Sequence, residues 1–368
     1  MKQKMIISMI FLLFVSACGA YTEDDRSQIN IFKKEKNSLN ESKSAQEGVH
    51  LEKELAIVTK NEKTVFLVSD LVELLDGDYN YDELHRLLTI DIDDQQFKIV
   101  KGIPVVEHNG IYLATDEIFA IKEEDAVFLP VVFLEIALGL TVSETSDIVL
   151  FDWGGQALLT SVTTHPLISD QEWSVDKMVN YLSFLEKPIE GAEVSTLANH
   201  LPGAKRGYRN GFHEGLDWYG YATVRTMSFD TPVYAMAEGT VVRVDHDYEE
   251  YKSPLIRNKD LSLTAELGET PLYIFDRLRG RQVWIQYEKG IMNRFAHLDD
   301  IPESLKVGDK VTSKTIIGYV GNSGTSGAVN KDGTELHLHQ DILIYGDLFW
   351  KPFSLDEVTE ILVRVFGD

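Results

Sequence analysis

The segment Leu336-His337-Leu338-His339, at the start of a run to Ile342, alternates between apolar and histidine side chains. A period of two predicts a β-strand with both leucines on one face and both histidines on the other. Two imidazoles on one face of a rigid strand are costly to bury unless something binds them. Because imidazole is a good zinc ligand, the segment predicts a metal site on a sheet.

The composition limits which residue types can supply the other metal ligands and which classes of partner the protein can bind. The 368 residues include one cysteine, which excludes a cysteine-based zinc site and an internal disulfide, so His and carboxylates must supply the ligands. The formal net charge of -24 counts against nucleic acid as a partner, because phosphate binding needs clustered Lys and Arg. The length allows two or three domains. No run of 18 apolar residues is present, so no transmembrane helix is expected.

Two further segments carry histidines with strand-like flanks. His213 and Asp217 are four residues apart, and His297 lies in the segment 294–298, downstream of an alternating strand predicted at 283–287. A His–Asp pair at this spacing could be an ion pair on a helix, but Gly211 and Gly215 disfavour a helix there.

In this order the three segments resemble the motifs of LytM/lysostaphin-type zinc metallopeptidases, which cut peptide bonds in bacterial cell-wall peptidoglycan. The resemblance covers residues 201–353. It implies a mainly β catalytic domain with antiparallel sheets of the lysostaphin/LytM type, similar to a duplicated hybrid motif. It also implies one Zn²⁺, with His213, Asp217 and His339 as ligands and His297 and His337 as catalytic histidines.

The implied activity is that of a zinc metalloendopeptidase, which hydrolyses peptidoglycan peptides with a zinc-bound water. His213-Glu214 resembles the start of a His-Glu-x-x-His helix, but residue 217 is Asp, so that arrangement is absent.

How His297 and His337 divide the proton transfers stays open. Two other functions stay open too: a non-catalytic cell-wall-binding scaffold or hydrolase regulator, and a peptide receptor with a vestigial zinc site.

Residues 1–18 have the pattern of an export signal, with Lys2 and Lys4 before an apolar run that is too short to span a membrane. The ending Val15-Ser16-Ala17-Cys18 resembles the bacterial lipobox, in which the cysteine is diacylated. This resemblance implies lipidation at Cys18 and an extracytoplasmic lipoprotein, anchored in the membrane and facing the cell wall. The polar residues 19–50 predict a flexible tether.

The range 51–152 resembles the stalk domain named after the N-terminus of copper amine oxidases. The resemblance implies a small α+β spacer or binding module, and it does not imply copper. The elements predicted here are strands at 56–58 and 65–67, a helix capped by Ser69 and running to Leu75, a hairpin at Asn109-Gly110, and a helix from Pro130 to Leu138.

Residues 153–200 predict a helical connector, with a helix from Ser169 or Asp170 toward Glu186. Two insertions are expected to shape the cleft: residues 247–281, with a short helix over 272–279, and a glycine-rich mobile loop over 321–334. Residues 354–368 predict a final helix capped by Ser354. His200 and His246 match no motif position and are expected on the surface.

Overall fold

A computed structural model describes residues 51–154, 168, 172–223 and 225–367. The predicted signal, Cys18 and the tether lie outside the described residues. Within the described ranges, no helix has the length and apolar character needed to cross a membrane. The described chain is mostly antiparallel β-structure, which confirms the expected fold class.

Residues 51–154, here called the N-terminal module, contain eleven strands and two helices. They are β1 Leu51–Lys60, β2 Lys63–Leu67, α1 Val68–Leu74, β3 Asp78–Asp82, β4 Leu87–Ile92, β5 Gln95–Val100, β6 Glu107–His108, β7 Ile111–Tyr112, β8 Ile121–Glu123, β9 Ala126–Pro130, α2 Val132–Ile136, β10 Val142–Glu144 and β11 Ile148–Trp153. One sheet has the order β10-β11-β1-β2-β9-β8 and the other β3-β4-β5-β6-β7. Both contribute to one apolar core.

Turn chemistry explains which predictions hold in the module. Asn109 and Gly110 have φ values of 48° and 83°, and they join β6 to β7 as the hairpin signal predicts. The predicted Ser69 cap is wrong, because α1 already begins at Val68 and has no side-chain cap. The helix predicted from Pro130 is also wrong at its start. Pro130 is the last residue of β9 and lies beyond the end of β8, which pairs only with Ala126 to Phe128, so β9 is locally an edge there and tolerates a residue without an N–H.

The described residues of 172–367, here called the C-terminal domain, contain eleven strands and five α-helices. They are α3 Val175–Leu182, β12 Lys205–Arg206, β13 Gly211–Phe212, β14 Leu216–Tyr219, β15 Pro232–Tyr234, β16 Gly239–Val244, α4 Pro254–Leu267, α5 Leu272–Arg279, β17 Val283–Tyr287, β18 Ile291–Ala296, β19 Lys310–Val311, β20 Ile316–Tyr319, α6 Ser326–Asn330, β21 His337–Ile344, β22 Asp347–Leu348 and α7 Leu355–Phe366. The main sheet has the order β14-β21-β18-β17-β16-β19, and β22 pairs with β21.

Strand β21 lies between β14 and β18, and all eight of its residues are buried. Its register places His339 opposite Asp217 of β14 and opposite Ala296 of β18. His297 directly follows β18, so one pair of strand registers brings three of the predicted site residues to the same end of the sheet.

Several helix predictions in this domain need correction. Helix α3 begins after its cap Ser174 and ends at Leu182, so it is shorter than predicted; Ser169 and Asp170 lie outside the described residues. The predicted mobile loop over 321–334 contains helix α6, capped by Thr325. The predictions for α5 and for the Ser354-capped α7 are confirmed, the latter with a capping box to Glu357.

Candidate metal centre and active site

Three polar atoms converge at one end of the main sheet. His213 Nε2 lies 3.0 Å from Asp217 Oδ1 and 3.1 Å from His339 Nδ1, and the last two atoms lie 2.9 Å apart. All three residues are buried. Ligand atoms about 2.0–2.2 Å from a tetrahedral ion lie roughly 3.3–3.5 Å apart, so a small relaxation would let this triangle hold one zinc ion. The structure therefore brings together the three predicted ligands.

The opposite nitrogen of each imidazole is already engaged, which directs His213 Nε2 and His339 Nδ1 toward Asp217. His213 Nδ1 donates to the Leu201 carbonyl oxygen at 3.1 Å. His339 Nε2 lies 2.7 Å from Asp341 Oδ1, to which it donates. Such partners set the tautomer and the direction of a metal-binding histidine. The donor set thus fits zinc in chemistry as well as in position.

Asp341 is fully buried and is held by two arginines. Arg279, the last residue of α5, reaches Asp341 Oδ2 at 3.0 Å, and Arg294 of β18 lies 3.6 Å from the same oxygen. Burial alone would raise the pKa of the Asp341 carboxyl, but the arginines and His339 hold it far below its usual range. Asp341 therefore stays ionised as the acceptor of the His339 N–H.

The protonation states follow from burial and from these neighbours. Burial lowers the pKa of His213, which keeps this ring neutral at pH 7. Burial opposes protonation of His339 too, but Asp341 and Asp217 outweigh it and raise its pKa to about 9. A cation that binds here would therefore displace a proton from His339.

His297 and His337 lie beside the three converging residues. The His337 ring centroid is 4.7 Å from that of His297, and His337 Nε2 lies 3.6 Å from Asp217 Oδ1. Each donates through Nδ1 to a backbone carbonyl at 2.7 Å: His297 to that of Ser323, and His337 to that of Glu335. Burial lowers the pKa of both rings, so each offers an unprotonated Nε2 near neutral pH.

An aromatic wall that the sequence did not reveal supports His337. Tyr219 stacks on the His337 ring, with centroids 4.2 Å apart and planes 9° from parallel. His200 lies behind Tyr219 and contacts Ser195 and the hydroxyl of Tyr221. The expectation that His200 is a surface residue is wrong, since it is 1% exposed. His246 is exposed as expected.

These residues line an open cleft with a volume of about 400 Å³. Its rim carries Tyr208 and Tyr221, which are 60% and 74% exposed, and Arg257 from α4. The predicted insertion over 247–281 therefore does border the cleft, but through two helices, because α4 precedes the predicted α5.

Glu214 forms an ion pair with buried Arg209 at 2.7 Å, so its carboxylate is engaged by that arginine.

The converging group consists of two imidazoles and one carboxylate, and two more imidazoles lie beside it. Metal-dependent hydrolases use donor sets of this kind. Residues 268–348 match Peptidase family M23, a range that contains His297, His337 and His339. This match supports a peptidase M23 domain in this part of the chain. A comparison with curated proteins gave no match.

Three solved structures are similar to parts of the chain. A zinc-containing peptidase from Vibrio cholerae is 15% identical, with a TM-score of 0.29; the match covers 71% of this chain and 48%, about half, of that one. The catalytic domain of the antimicrobial peptidase lysostaphin from Staphylococcus simulans is 21% identical, covering 49% and 90%, with a TM-score of 0.24. A catalytic-domain variant of the prophage-encoded M23 protein EnpA from Enterococcus faecalis is 18% identical, covering 45% and 92%, with a TM-score of 0.26.

Proposed function

We propose that the C-terminal domain is a zinc metalloendopeptidase that hydrolyses peptide bonds in bacterial peptidoglycan. The observation that carries this proposal is the convergence of His213, Asp217 and His339, with two unprotonated imidazole nitrogens beside them. The M23 match supports the peptidase class, and the motif resemblance supports peptidoglycan as the substrate. The open cleft fits an extended peptide better than a small molecule, which pockets usually enclose.

One Zn²⁺ would be held by His213 Nε2, Asp217 Oδ1 and His339 Nδ1. Bound there, zinc would supply Lewis acidity, which polarises a peptide carbonyl and lowers the pKa of water. Asp341 would keep the His339 ring oriented and make its Nδ1 a stronger zinc ligand, as carboxylate partners of metal-binding histidines do.

His297 and His337 supply the proton transfers in this proposal. Their Nε2 atoms accept a proton from the attacking water and return it to the amine that leaves. The carbonyl partners at Nδ1 hold the rings in the tautomer that this step requires. Tyr219 restrains the His337 ring through stacking.

The proposed activity predicts chelator-sensitive cleavage by the full mature chain. We expect about one zinc per chain by elemental analysis, and cleavage of cross-linked muropeptides that a chelator stops and added zinc restores. Mass spectrometry of the products identifies the bond. A chain that holds zinc and binds peptidoglycan without cleaving any muropeptide would instead favour the scaffold or regulator, and that result would exclude the peptidase.

Lipidation at Cys18 is a second part of the proposal, supported by the lipobox resemblance and by the absence of any other cysteine from the sequence. We expect mass spectrometry to find a diacylglyceryl group on Cys18 as the mature N-terminus. Because the two acyl chains of this group anchor the protein through about 0.8 kcal/mol per buried CH₂, Cys18→Ala should move the protein from the membrane fraction to the soluble one. Normal processing and membrane retention of that variant would refute the anchor.

A further inference from the structure

The N-terminal module contacts the C-terminal domain on the strand that carries the histidines. The β6–β7 hairpin lies against the turn after β21, where a Cβ on Gly110 would come within 2.5 Å of Tyr345 backbone atoms. The backbone N–H of Tyr112 donates to Gln286 Oε1 at 3.0 Å. The hairpin therefore fits closely against β17 and the end of β21.

The contact between the module and the domain has its own apolar core. Tyr112 is 7% exposed and packs edge-on against Trp284, with ring centroids 5.5 Å apart. The residues of this cluster are Ile103, Val105, Tyr112, Val242, Trp284, Met292 and Leu343. Tyr112 is held at two points, by its backbone hydrogen bond to Gln286 and by its ring contact with Trp284, so its hydroxyl has a defined position relative to the main sheet.

From this position a chain of polar contacts leads to a proposed zinc ligand. Arg294 donates to the Tyr112 hydroxyl oxygen at 3.1 Å, and that hydroxyl donates to Glu107 at 3.1 Å. On its other side Arg294 lies 3.6 Å from Asp341, its cross-strand partner in the β18–β21 register. Asp341 in turn accepts from His339. Four side chains thus connect the module to the metal centre.

A second route reaches the same carboxylate through the insertion. Arg86 of the module lies over the Tyr273 ring of α5, with 3.7 Å between its guanidinium carbon and the ring centroid. Helix α5 ends at Arg279, which bonds to Asp341 at 3.0 Å. The module therefore contacts Arg294 directly through Tyr112, and it contacts the helix that ends in Arg279 through Arg86.

We propose that Tyr112 is a positioning residue of the metal centre: it holds Arg294 against Asp341 and thereby orients the zinc ligand His339. This inference rests on the proposed zinc site and gives the N-terminal module a role in it beyond that of a spacer. It predicts that removing one hydroxyl in the module weakens zinc binding in the other domain.

The test is a double-mutant cycle on zinc affinity in the full chain, measured by competition with a chromophoric chelator. We expect Tyr112→Phe to weaken zinc binding roughly 2- to 30-fold, the range for residues that act through a network. Asp341→Asn should weaken it roughly 10- to 100-fold, as loss of a ligand's partner does. In the Asp341→Asn background, Tyr112→Phe should add nothing beyond the ~2-fold scatter of independent sites.

Tyr81→Phe is the matched control, because the Tyr81 ring contacts Lys122 of the same module. It should bind zinc as the unmodified chain does. Unchanged zinc affinity in Tyr112→Phe, or an equal loss in both backgrounds, would overturn the positioning role. If Asp341→Asn does not fold by near-ultraviolet circular dichroism, Arg294→Lys takes its place in the cycle. Failure of the unmodified chain to cleave muropeptides would refute the peptidase, but it would not alter these zinc affinities.

Discussion

Single substitutions His213→Ala, Asp217→Ala and His339→Ala are each expected to remove stoichiometric zinc and abolish turnover. Each residue supplies one of three atoms within 3.1 Å of one another, and the described residues show no fourth ligand within this group. The loss of affinity should exceed the roughly 10- to 100-fold effect of changing a ligand's outer partner. Elemental analysis after dialysis and a cleavage assay measure the two effects.

Thermal unfolding separates loss of the ion from loss of the fold. Zinc at 100 times its Kd should stabilise the unmodified chain by about 2.7 kcal/mol, and the three variants should lack this zinc-dependent rise in Tm. His246→Ala is the matched control, since His246 is an exposed histidine of the same domain. If two of the three variants keep stoichiometric zinc, the ligand assignment is wrong.

Part of the candidate site can be predicted from the sequence because its signals are local. Alternation over 336–339 predicted that His337 and His339 share a face, and strand β21 confirms this. The predicted strand runs to Ile342, so the same period also places Asp341 on that face, beside the histidine it contacts, but the pattern alone assigns Asp341 no role. Its arginine partners come from α5 and β18, and only tertiary structure shows that these elements meet at Asp341.

Other features were hidden because their causes are not local. Helix α4 has no clear apolar stripe, so its sequence gave no helical period even though Ser253 and Pro254 mark its start. In the sequence His200 is an isolated polar residue. In the structure it is buried, its two ring nitrogens form hydrogen bonds with Ser195 and Tyr221, and its ring packs against Tyr219. Burial of a single histidine depends on such partners, which sequence spacing does not reveal.

His297→Ala and His337→Ala are expected to lower kcat by about 10²–10⁴-fold while the protein keeps its zinc, because general acid–base catalysis contributes on that scale. Their Nδ1 atoms donate to backbone carbonyls, and neither histidine is one of the three proposed zinc ligands. Single-turnover cleavage at saturating zinc measures the loss. His246→Ala should cleave at the unmodified rate.

Which of His337 and His339 binds zinc is the most difficult part of that assignment, because both project from one face of β21. The distances favour His339 as the ligand: its Nδ1 lies 2.9 Å from Asp217 Oδ1, against 3.6 Å for His337 Nε2. Asp341 also engages the far nitrogen of His339, whereas a backbone carbonyl engages that of His337. Zinc analysis of the two alanine variants side by side distinguishes them. Zinc lost from His337→Ala and kept by His339→Ala would exchange the two roles, and the peptidase proposal would then rest on His337 as the third ligand.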